Sequence, residues 1–335
     1  MPLPSFSQTH ALPGRLLILA GPTASGKTQV SLKLCGILNG EIISADSLLI
    51  YRGLDIGTAK PRAAQRARAT HHLIDILDPD ADYSAAQWAE DATRLIEEIS
   101  SRGKQPIIVG GTGFYITALL YPRRLASAPP NPVLREELEN LAARAGKGVL
   151  HARLREVDEA AAHRLHPNDE MRVTRAIEVA LFRMENSQQS NHCDDTEITD
   201  AAPDSLPQFR AFALEMAREK LYARVDARVD EMLKQGFLDE LKTLLAAGYE
   251  TAAPLQSLGY KQMREALINP ERWDDCVEIW KRETRRYAKR QLTWFRHQLD
   301  VTWIKAENAD GEMREAGEIA QQIASEFLES ERQKP

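Results

Sequence analysis

The chain has 335 residues, of which 43% are hydrophobic and 27% are charged, and its formal net charge is −6. This composition is ordinary for a soluble globular protein and excludes an intrinsically disordered or a membrane-spanning chain. The first apolar run, residues 16–20, is too short for a signal-peptide core or a transmembrane helix. Cys35, Cys193 and Cys276 form no CxxC pair, so we predict free thiols in a reducing, cytoplasmic compartment and no structural zinc site.

The first third of the chain alternates short apolar runs with helical patterns, which is typical of a parallel α/β sheet. We predict strands at residues 16–20, 41–44, 72–75 and 105–109, and helices at 26–38 and 84–101 with Ser84 as an N-cap. Prolines between residues 121 and 132 mark a domain boundary, because they interrupt any regular element.

The rest of the chain is predicted to be mainly helical. Residues 133–186 form helices, one of them capped by Asn168 or Asp169, and the polar stretch 187–208 is a mobile linker. Strands are expected at 209–214 and 301–304, with helix breaks at Gly248, Pro254 and Pro270. We therefore divide the chain into an α/β core (1–122), an inserted all-helical domain (123–207), and a core return with a helix-rich C-terminal part (208–335).

Residues 21–28 (GPTASGKT) fit the P-loop pattern GxxxxGK[ST] and lie between a predicted strand and a predicted helix, as that motif requires. Gly21 and Gly26 let successive backbone N–H groups curve around phosphate oxygens, and the helix N-terminus adds its positive end. We expect Lys27 to neutralise the outer phosphate and the Thr28 hydroxyl to bind Mg²⁺. The alternative, an accidental glycine-rich turn, leaves the flanking strand and helix unexplained.

A P-loop identifies a phosphate ligand but not a reaction, so the position of the acidic residues matters. The strand at 105–109 runs into 110–113 (GGTG), where a P-loop hydrolase would carry an aspartate for its metal. Asp46 instead follows the second strand, and the carboxyl ends of parallel strands face one crevice. Asp46 is therefore a candidate proton acceptor or metal ligand, and the alternative is an Asx-turn at the strand end.

Several cationic positions have two interpretations. Arg218 and Arg224 can hold a diphosphate by bidentate contacts, or they form a solvated helix face. Arg172 and Arg175 share a helix face and can contact RNA phosphate or the acidic residues close by.

Residues 281–296 (KRETRRYAKRQLTWFR) hold seven Lys or Arg and one acid, so the negative net charge hides a basic helix. Positive charge beside aromatic rings suits RNA, whereas Trp294 and Phe295 can also be core residues. We expect both: partly buried rings and arginines facing a polyanion.

Taken together, these segments resemble the tRNA dimethylallyltransferases (isopentenyl-tRNA transferases). The resemblance rests on seven ordered segments: GPTASGKT at 21–28, SADSLLIYRGLDIGTAKP at 44–61, GGTGFY at 110–115, HPNDEMRVTRAIEV at 166–179, REKLYARVDARVDEML at 218–233, LGYKQM at 258–263 and YAKRQLTWFR at 287–296. It implies a nucleotide-kinase-like P-loop core, an inserted helical domain that closes over the tRNA anticodon arm, and Mg²⁺-dependent transfer from dimethylallyl diphosphate. The implied acceptor is N6 of the adenosine immediately 3′ of the anticodon.

The resemblance also implies residue roles, with Lys27, Thr28 and Asp46 catalytic and Asp46 as the general base. The implied diphosphate site is Gly21, Pro22, Thr23, Ala24, Ser25, Gly26, Lys27, Thr28, Arg218 and Arg224. The implied tRNA site is Asp46, Ser47, Leu48, Leu49, Thr112, Arg135, Met171, Arg172, Val173, Thr174, Arg175, Gly259, Tyr260, Lys261, Lys289, Arg290, Gln291, Trp294 and Arg296.

One departure is that the family usually has Met and Gln after Asp-Ser, where this chain has Leu48 and Leu49. An amide that reads the adenine edge is thus missing, and another group must supply its hydrogen bond. No zinc-finger extension follows the C-terminal helix, which suggests the bacterial type, and we expect a monomer.

Three alternatives come from other classes. A P-loop kinase of small metabolites predicts ATP turnover, and an adenine-nucleotide prenyltransferase of the cytokinin type needs no anticodon contacts. A non-enzymatic RNA-binding module needs no P-loop. The presence of both a P-loop and a basic helix in one chain favours prenyl transfer to tRNA.

Overall fold

The computed structural model of the protein describes residues 15–122, 128–146, 148–187 and 208–332. The chain divides into two compact units, one of residues 1–122 with 202–335 and the other of residues 123–201. Each unit has a hydrophobic core of its own. No helix in the described ranges is long and apolar enough to cross a membrane.

The larger unit is built on a parallel sheet. Its strands are β1 (Leu16–Ala20), β2 (Gly40–Ala45), β3 (His71–His72), β4 (Gln105–Gly110), β5 (Phe209–Glu215) and β6 (Thr302–Lys305). The strand order is β3-β2-β4-β1-β5-β6, and every pair is parallel. Ala20 at the end of β1 aligns with Gly110 of β4 and with Ala213 of β5. The loops that follow β1 and β4 therefore leave the sheet side by side.

Helices flank the sheet and form the smaller unit. In chain order they are α1 (Lys27–Leu38), α2 (Ala63–Arg66), α3 (Ala85–Ser101), α4 (Gly113–Leu120), α5 (Pro132–Ala145), α6 (Gly148–Val157), α7 (Glu159–Arg164), α8 (Glu170–Ser187), α9 (Arg218–Lys234), α10 (Phe237–Ala246), α11 (Tyr260–Ile268), α12 (Trp273–Gln298) and α13 (Ala316–Arg332). Short 3-10 turns at Ala253–Gln256 and Pro270–Arg272 fall at the predicted prolines.

The alternation of side chains along β1 assigns its residues to two cores. Leu16 and Ile18 pack with Trp88 and Phe295 on one face, whereas Leu17 and Leu19 belong to the opposite core. A third cluster joins α9, α10, α11 and α12. The basic helix α12 is thus packed by its apolar side, through Trp280 in this cluster and through Phe295 in the core against the sheet.

Most predicted elements are confirmed, including the N-cap Ser84, whose hydroxyl accepts a hydrogen bond from Gln87 N at 3.2 Å. The strand predicted at 72–75 is wrong. The strand ends at His72, and Leu73 and Asp75 both have φ of 58°, which no strand residue adopts. The turn brings Asp75 against the cations Lys60 and Arg66. Residues 188–207, most of the predicted linker, lie outside the described residues.

The smaller unit packs α5, α6, α7 and α8 around a core that includes Leu138, Leu154 and Ile177. Helix α8 begins at Glu170, and a carboxylate oxygen of Asp169 accepts a hydrogen bond from Arg172 N at 3.4 Å. Of the two caps that the sequence allowed, Asp169 is therefore the one in place.

Candidate active site

The loop between β1 and α1 has the backbone that a P-loop requires. Gly21 has φ of 141° and Gly26 has φ of 97°, values that favour glycine because a side chain strains them. The ammonium of Lys27 turns back onto this loop and donates hydrogen bonds to the carbonyl oxygens of Gly21 (2.8 Å) and Pro22 (2.7 Å). The buried hydroxyl of Ser25 has no hydrogen-bond partner among the residues that the structure describes. This loop therefore offers the Ser25 hydroxyl to a ligand, whereas two of its amides already have acceptors: Thr23 N donates to Gln291 Oε1 (2.8 Å) and Ser25 N to Pro22 O (3.3 Å).

Lys27 is held in an environment that disfavours its charge. Burial, and next the positive charge of Arg228, lower the pKa of Lys27 from 10.5 to about 7, although the carboxylate of Asp46 opposes the change. The lysine is thus close to losing its proton near neutral pH. A bound anion would restore the proton, because it would compensate both burial and the neighbouring cation.

Asp46 follows β2 at the same edge of the sheet as the P-loop. One of its carboxylate oxygens, Oδ1, accepts a hydrogen bond from Leu48 N at 3.0 Å, so the predicted alternative of an Asx-turn is present. The charge of Asp46 also acts on Lys27, Arg228 and Tyr287. The turn therefore fixes the Asp46 carboxylate near the cations Lys27 and Arg228. Asp46 can cap the strand end and still act in the site.

Helix α9 supplies the arginines closest to the P-loop. Arg224 Nε donates to the carbonyl oxygen of Ala24 at 2.8 Å, and Arg228, one turn later, donates to Thr58 O at 3.1 Å. Burial lowers the pKa of Arg228. The negative charge of Asp46 acts in the opposite direction, and the positive charge of Arg224 lowers the pKa of Arg228 further. Arg218 is exposed in the first turn of α9, and its guanidinium lies 5.1 Å from the centroid of the Tyr222 ring. Of the two predicted diphosphate ligands, Arg224 contacts the P-loop.

The 110–113 loop lies between the segment after Asp46 and helix α12. The hydroxyl oxygen of Thr112 accepts a hydrogen bond from Ser47 N at 3.1 Å, which ties this loop to the segment after Asp46. A Cβ on Gly110 would lie 2.0 Å from Ala45 O, and one on Gly113 would lie 2.2 Å from Cδ1 of Trp294. The glycines are needed because strand β2 and helix α12 approach the loop backbone directly.

Helix α12 presents its cations to solvent beside this loop. Lys289, Arg290 and Arg296 are exposed, whereas Phe295 is fully buried. Trp294 is half-buried and meets the exposed ring of Phe114 edge-on, with centroids 6.3 Å apart. The expected combination of buried rings and exposed cations is therefore present. Gln291, in contrast, is only 7% exposed.

Residues 259–261 are placed differently from the other predicted tRNA contacts. Tyr260 is 0% exposed, and its hydroxyl donates to Glu240 Oε1 at 2.7 Å. Gly259 has φ of 91° and packs against the Trp280 ring, where a Cβ would come within 2.6 Å. The Tyr260 side chain thus has a packing role, because it has no surface to offer to RNA. Lys261 is exposed, and its contact with tRNA stays a prediction.

In the smaller unit, two of the three predicted RNA-binding arginines, Arg135 and Arg175, share one acid. Glu178 is 3% exposed, and it accepts hydrogen bonds from Arg135 (2.7 and 3.0 Å) and Arg175 (3.0 Å). Burial alone would raise the pKa of Glu178, but the hydrogen bonds from Arg135, Asn131 N and Arg175 lower it below its ordinary value. The acid holds the two guanidiniums in place, and their contact with RNA stays a prediction.

The other predicted tRNA contacts on α8 differ in how far they are exposed. The side chain of Arg172 is 70% exposed and lies 3.5 Å from Asp169, and Met171 is 84% exposed. Thr174 is half-buried. Val173 is a core residue with no exposed area, so its side chain can only support the surface beside it.

A model of the IPP transferase family matches residues 49–298. A tRNA dimethylallyltransferase of Exiguobacterium sibiricum is 45% identical over 291 residues, which cover 87% of this chain and 89% of that protein. The corresponding protein of Geobacter sulfurreducens is 43% identical over 293 residues, 87% of this chain and 92% of the relative. The chain belongs to the tRNA dimethylallyltransferase family.

Solved structures of the family agree with the fold. The tRNA isopentenylpyrophosphate transferase of Bacillus halodurans is 38% identical to this chain and superposes with a TM-score of 0.66. The match covers 95% of this chain and 98% of the Bacillus halodurans chain. A eukaryotic dimethylallyltransferase acting on tRNA, 27% identical, has a TM-score of 0.75 and covers 95% of this chain and 80% of its own. The predicted α/β core with its additional helices is confirmed.

Arg228 was not predicted as a site residue, and Gln291 was predicted as a tRNA contact, whereas its amide is buried and bonds to two loops of the site. Arg228 follows Arg224 by four residues and therefore lies on the same face of α9, a spacing that was visible in RVDARVDEM. No local signal showed the actual role of Gln291, because its two partners, Thr23 and Gly111, lie 268 and 180 residues away in the chain. Only the sheet order brings those two loops together.

Proposed function

We propose that the protein transfers the dimethylallyl group of dimethylallyl diphosphate to N6 of the adenosine immediately 3′ of the anticodon in tRNA. The observation that carries this proposal is the grouping of Asp46 with Lys27, Arg224 and Arg228 beside a P-loop. A single carboxylate among several cations suits a reaction in which an anion leaves and an amine loses a proton.

Each of these residues has a separate role in the proposed reaction. The N6 nitrogen attacks C1 of the dimethylallyl group, the C1–O bond breaks, and its electron pair leaves with the diphosphate. The proton that N6 loses passes to the Asp46 carboxylate. The P-loop amides, Lys27 and Arg224 bind the diphosphate, whose negative charge grows as the bond breaks.

We also propose Mg²⁺ as the metal of this site. Among the described residues there is no group of three or more His, Cys, Asp or Glu side chains that would hold a metal ion. Mg²⁺ needs no such cage, because in phosphate sites it uses one or two protein oxygens and takes the rest from phosphate and water. The hydroxyl of Thr28, half-buried in the first turn of α1, is an oxygen of this kind. When bound, the ion would neutralise charge on the diphosphate.

The acceptor side of the proposal rests on α12. The exposed cations Lys289, Arg290 and Arg296 suit RNA phosphates, and the neighbouring rings suit an unstacked base. The target adenine must leave the anticodon stack, as bases do in other base-modifying enzymes. With Leu48 and Leu49 in place of the family's usual amide, we propose that backbone groups of the 46–49 turn read the adenine edge. A cytoplasmic location follows from this substrate.

The test is analysis of the modified nucleosides by mass spectrometry. The full-length protein is incubated with dimethylallyl diphosphate, Mg²⁺ and a tRNA transcript that carries adenosine 3′ of the anticodon. The expected product is N6-dimethylallyladenosine, absent from a transcript with guanosine at that position. Modification of free AMP, but not of tRNA, would favour a cytokinin-type enzyme. ADP release that depends on a small hydroxyl acceptor would favour a kinase.

A further inference from the structure

Glu240, in the first turn of α10, accepts hydrogen bonds from three consecutive backbone amides. Its Oε2 accepts from Asp55 N at 2.8 Å and from Ile56 N at 2.5 Å, and its Oε1 accepts from Gly57 N at 3.0 Å. The same Oε1 accepts from the Tyr260 hydroxyl at 2.7 Å. A carboxylate suits this place because it has two acceptor oxygens and no donor. One side chain thus holds a turn that lies 183 to 185 positions earlier in the chain.

This turn, residues 55–58, is packed closely where the carboxylate meets it. A Cβ on Gly57 would lie 2.5 Å from the Phe237 ring and 2.5 Å from the Tyr260 hydroxyl, and both of these aromatic side chains are fully buried. At the far end of the turn, the Thr58 hydroxyl donates to the backbone carbonyl four residues earlier at 2.6 Å. The 55–58 turn is therefore fixed at both ends.

The last residue of the 55–58 turn holds a cation of the active site. The guanidinium of Arg228 donates to Thr58 O at 3.1 Å. Within the part of the chain that the structure describes, this carbonyl is the one hydrogen-bond acceptor of Arg228. Thr28 of the P-loop, Ile56 of the turn and Arg228 line one cavity of about 510 Å³. The position of the guanidinium in this cavity therefore depends on where the turn places Thr58 O.

We propose that Glu240 is a positioning residue that fixes the 55–58 turn and, through Thr58 O, holds Arg228 in place to contact the diphosphate. A cation that is already ordered lowers the cost of binding the anion. The Glu240 carboxylate is occupied by its four protein donors, so it acts through the turn and is not itself a ligand. This inference rests on the proposed function, in which the cations beside the P-loop bind a diphosphate.

A double-mutant cycle tests the proposal, with calorimetric titration of inorganic diphosphate and Mg²⁺ into the full-length protein without tRNA. Arg228→Met removes the cation and should weaken binding about tenfold, the effect of one charge-assisted hydrogen bond. Glu240→Gln turns an NH₂ group towards the backbone donors and releases the turn. Binding should then weaken about fivefold, the cost of ordering one flexible side chain on binding. In the Arg228→Met background, Glu240→Gln should change the affinity by less than about twofold.

Asp239→Asn is the matched control, because Asp239 is an acid in the same first turn of α10. Its side chain is 87% exposed and lies 3.9 Å from the ammonium of Lys242. Loss of this charge near a helix N-terminus should lower the melting temperature slightly, and the affinity for diphosphate should stay at the wild-type value.

The cycle separates a positioning role from a structural one. Wild-type affinity in a folded Glu240→Gln variant would overturn the proposal and leave Glu240 as a residue that only stabilises the fold. Equal losses in both backgrounds, or full affinity in Arg228→Met, would also overturn it, because Glu240 would then not act through Arg228. If Glu240→Gln does not fold in a thermal melt, Thr58→Val takes its place in the cycle, since it loosens the same turn. Failure of wild-type protein to bind diphosphate at all would instead refute the proposed function.

Discussion

The guanidinium of Arg224 donates a hydrogen bond of 2.8 Å to the carbonyl oxygen of Ala24 in the P-loop. This contact joins residues 200 positions apart in the chain and places a fixed positive charge at the loop. The neighbouring Arg228 is held through Thr58, so α9 contributes two cations whose positions depend on backbone groups. Such pre-positioned cations lower the cost of binding an anion.

Arg224→Ala should therefore weaken binding of inorganic diphosphate by about tenfold, the effect of one charge-assisted hydrogen bond. Arg218→Ala is the informative comparison, because Arg218 lies over the Tyr222 ring in the exposed first turn of α9. We expect a smaller effect from Arg218 in calorimetry without tRNA. Equal losses in both variants would mean that Arg218 moves to the ligand on binding.

Asp46→Asn should lower turnover by about 10²–10⁴-fold with little change in donor affinity, because a general base acts in the transition state. Asparagine keeps an oxygen for the hydrogen bond from Leu48 N, so the turn survives while the charge is removed. Asp46→Ala also loses the turn and should be less stable. Single-turnover rates with saturating tRNA are the measurement, and wild-type rates in the asparagine variant would show that the base is elsewhere.

Binding of diphosphate should be linked to proton uptake by Lys27. Its pKa of about 7 in the free protein leaves it mostly neutral above that pH, whereas a bound anion favours the ammonium. Affinity should therefore be highest below pH 7 and fall as the pH rises above it. Calorimetry in buffers of different ionisation enthalpy measures the uptake. Lys27→Arg, which stays charged, serves as the control for protons taken up by diphosphate itself.

The cations on α12 should contribute to tRNA affinity and not to folding. Replacing Lys289, Arg290 and Arg296 together by alanine should weaken tRNA binding and leave diphosphate binding unchanged. The log–log salt dependence should flatten by about 0.7 to 0.9 units for each lost phosphate contact. Trp294→Ala is the contrast, because its half-buried ring packs on Gly113, and it should also lower the melting temperature. If the triple variant is folded and the salt dependence of its tRNA binding is unchanged, these three cations are solvated side chains that do not contact tRNA.

Glu178 should stabilise the smaller unit in a pH-dependent way. Glu178→Ala leaves Arg135 and Arg175 without their shared acceptor, and we expect a loss of about 2–3 kcal/mol, since Arg135 is partly solvated. The pKa of Glu178 is lowered by folding, so its contribution is complete above the ordinary glutamate pKa and disappears as the pH falls through the lowered value. Thermal melts between pH 7 and 3, with the exposed Glu185→Ala as control, measure the difference.

The sequence alone determined the local features of this protein. The P-loop at 21–28, the strands before and after it, the Ser84 cap and the basic face of α12 each depend on residues close together in the chain. Periodicity and capping are local in origin, so they can be seen in one segment at a time. The strand expected at 72–75 failed because Asp75 turns towards Lys60 and Arg66, which the apolar pattern does not record.

Only the tertiary structure decided how these segments meet. The order of strands sets β1 beside β4, and this alone places Thr23 and Gly111 within reach of Gln291. Tertiary packing also buries Tyr260 in the cluster of α9, α10, α11 and α12 and Val173 in the core of the smaller unit, although the resemblance had implied both as tRNA contacts, and it brings Arg228 towards Lys27. Burial and electrostatic neighbours are properties of the folded units, because they depend on residues that approach one another only when each core has formed.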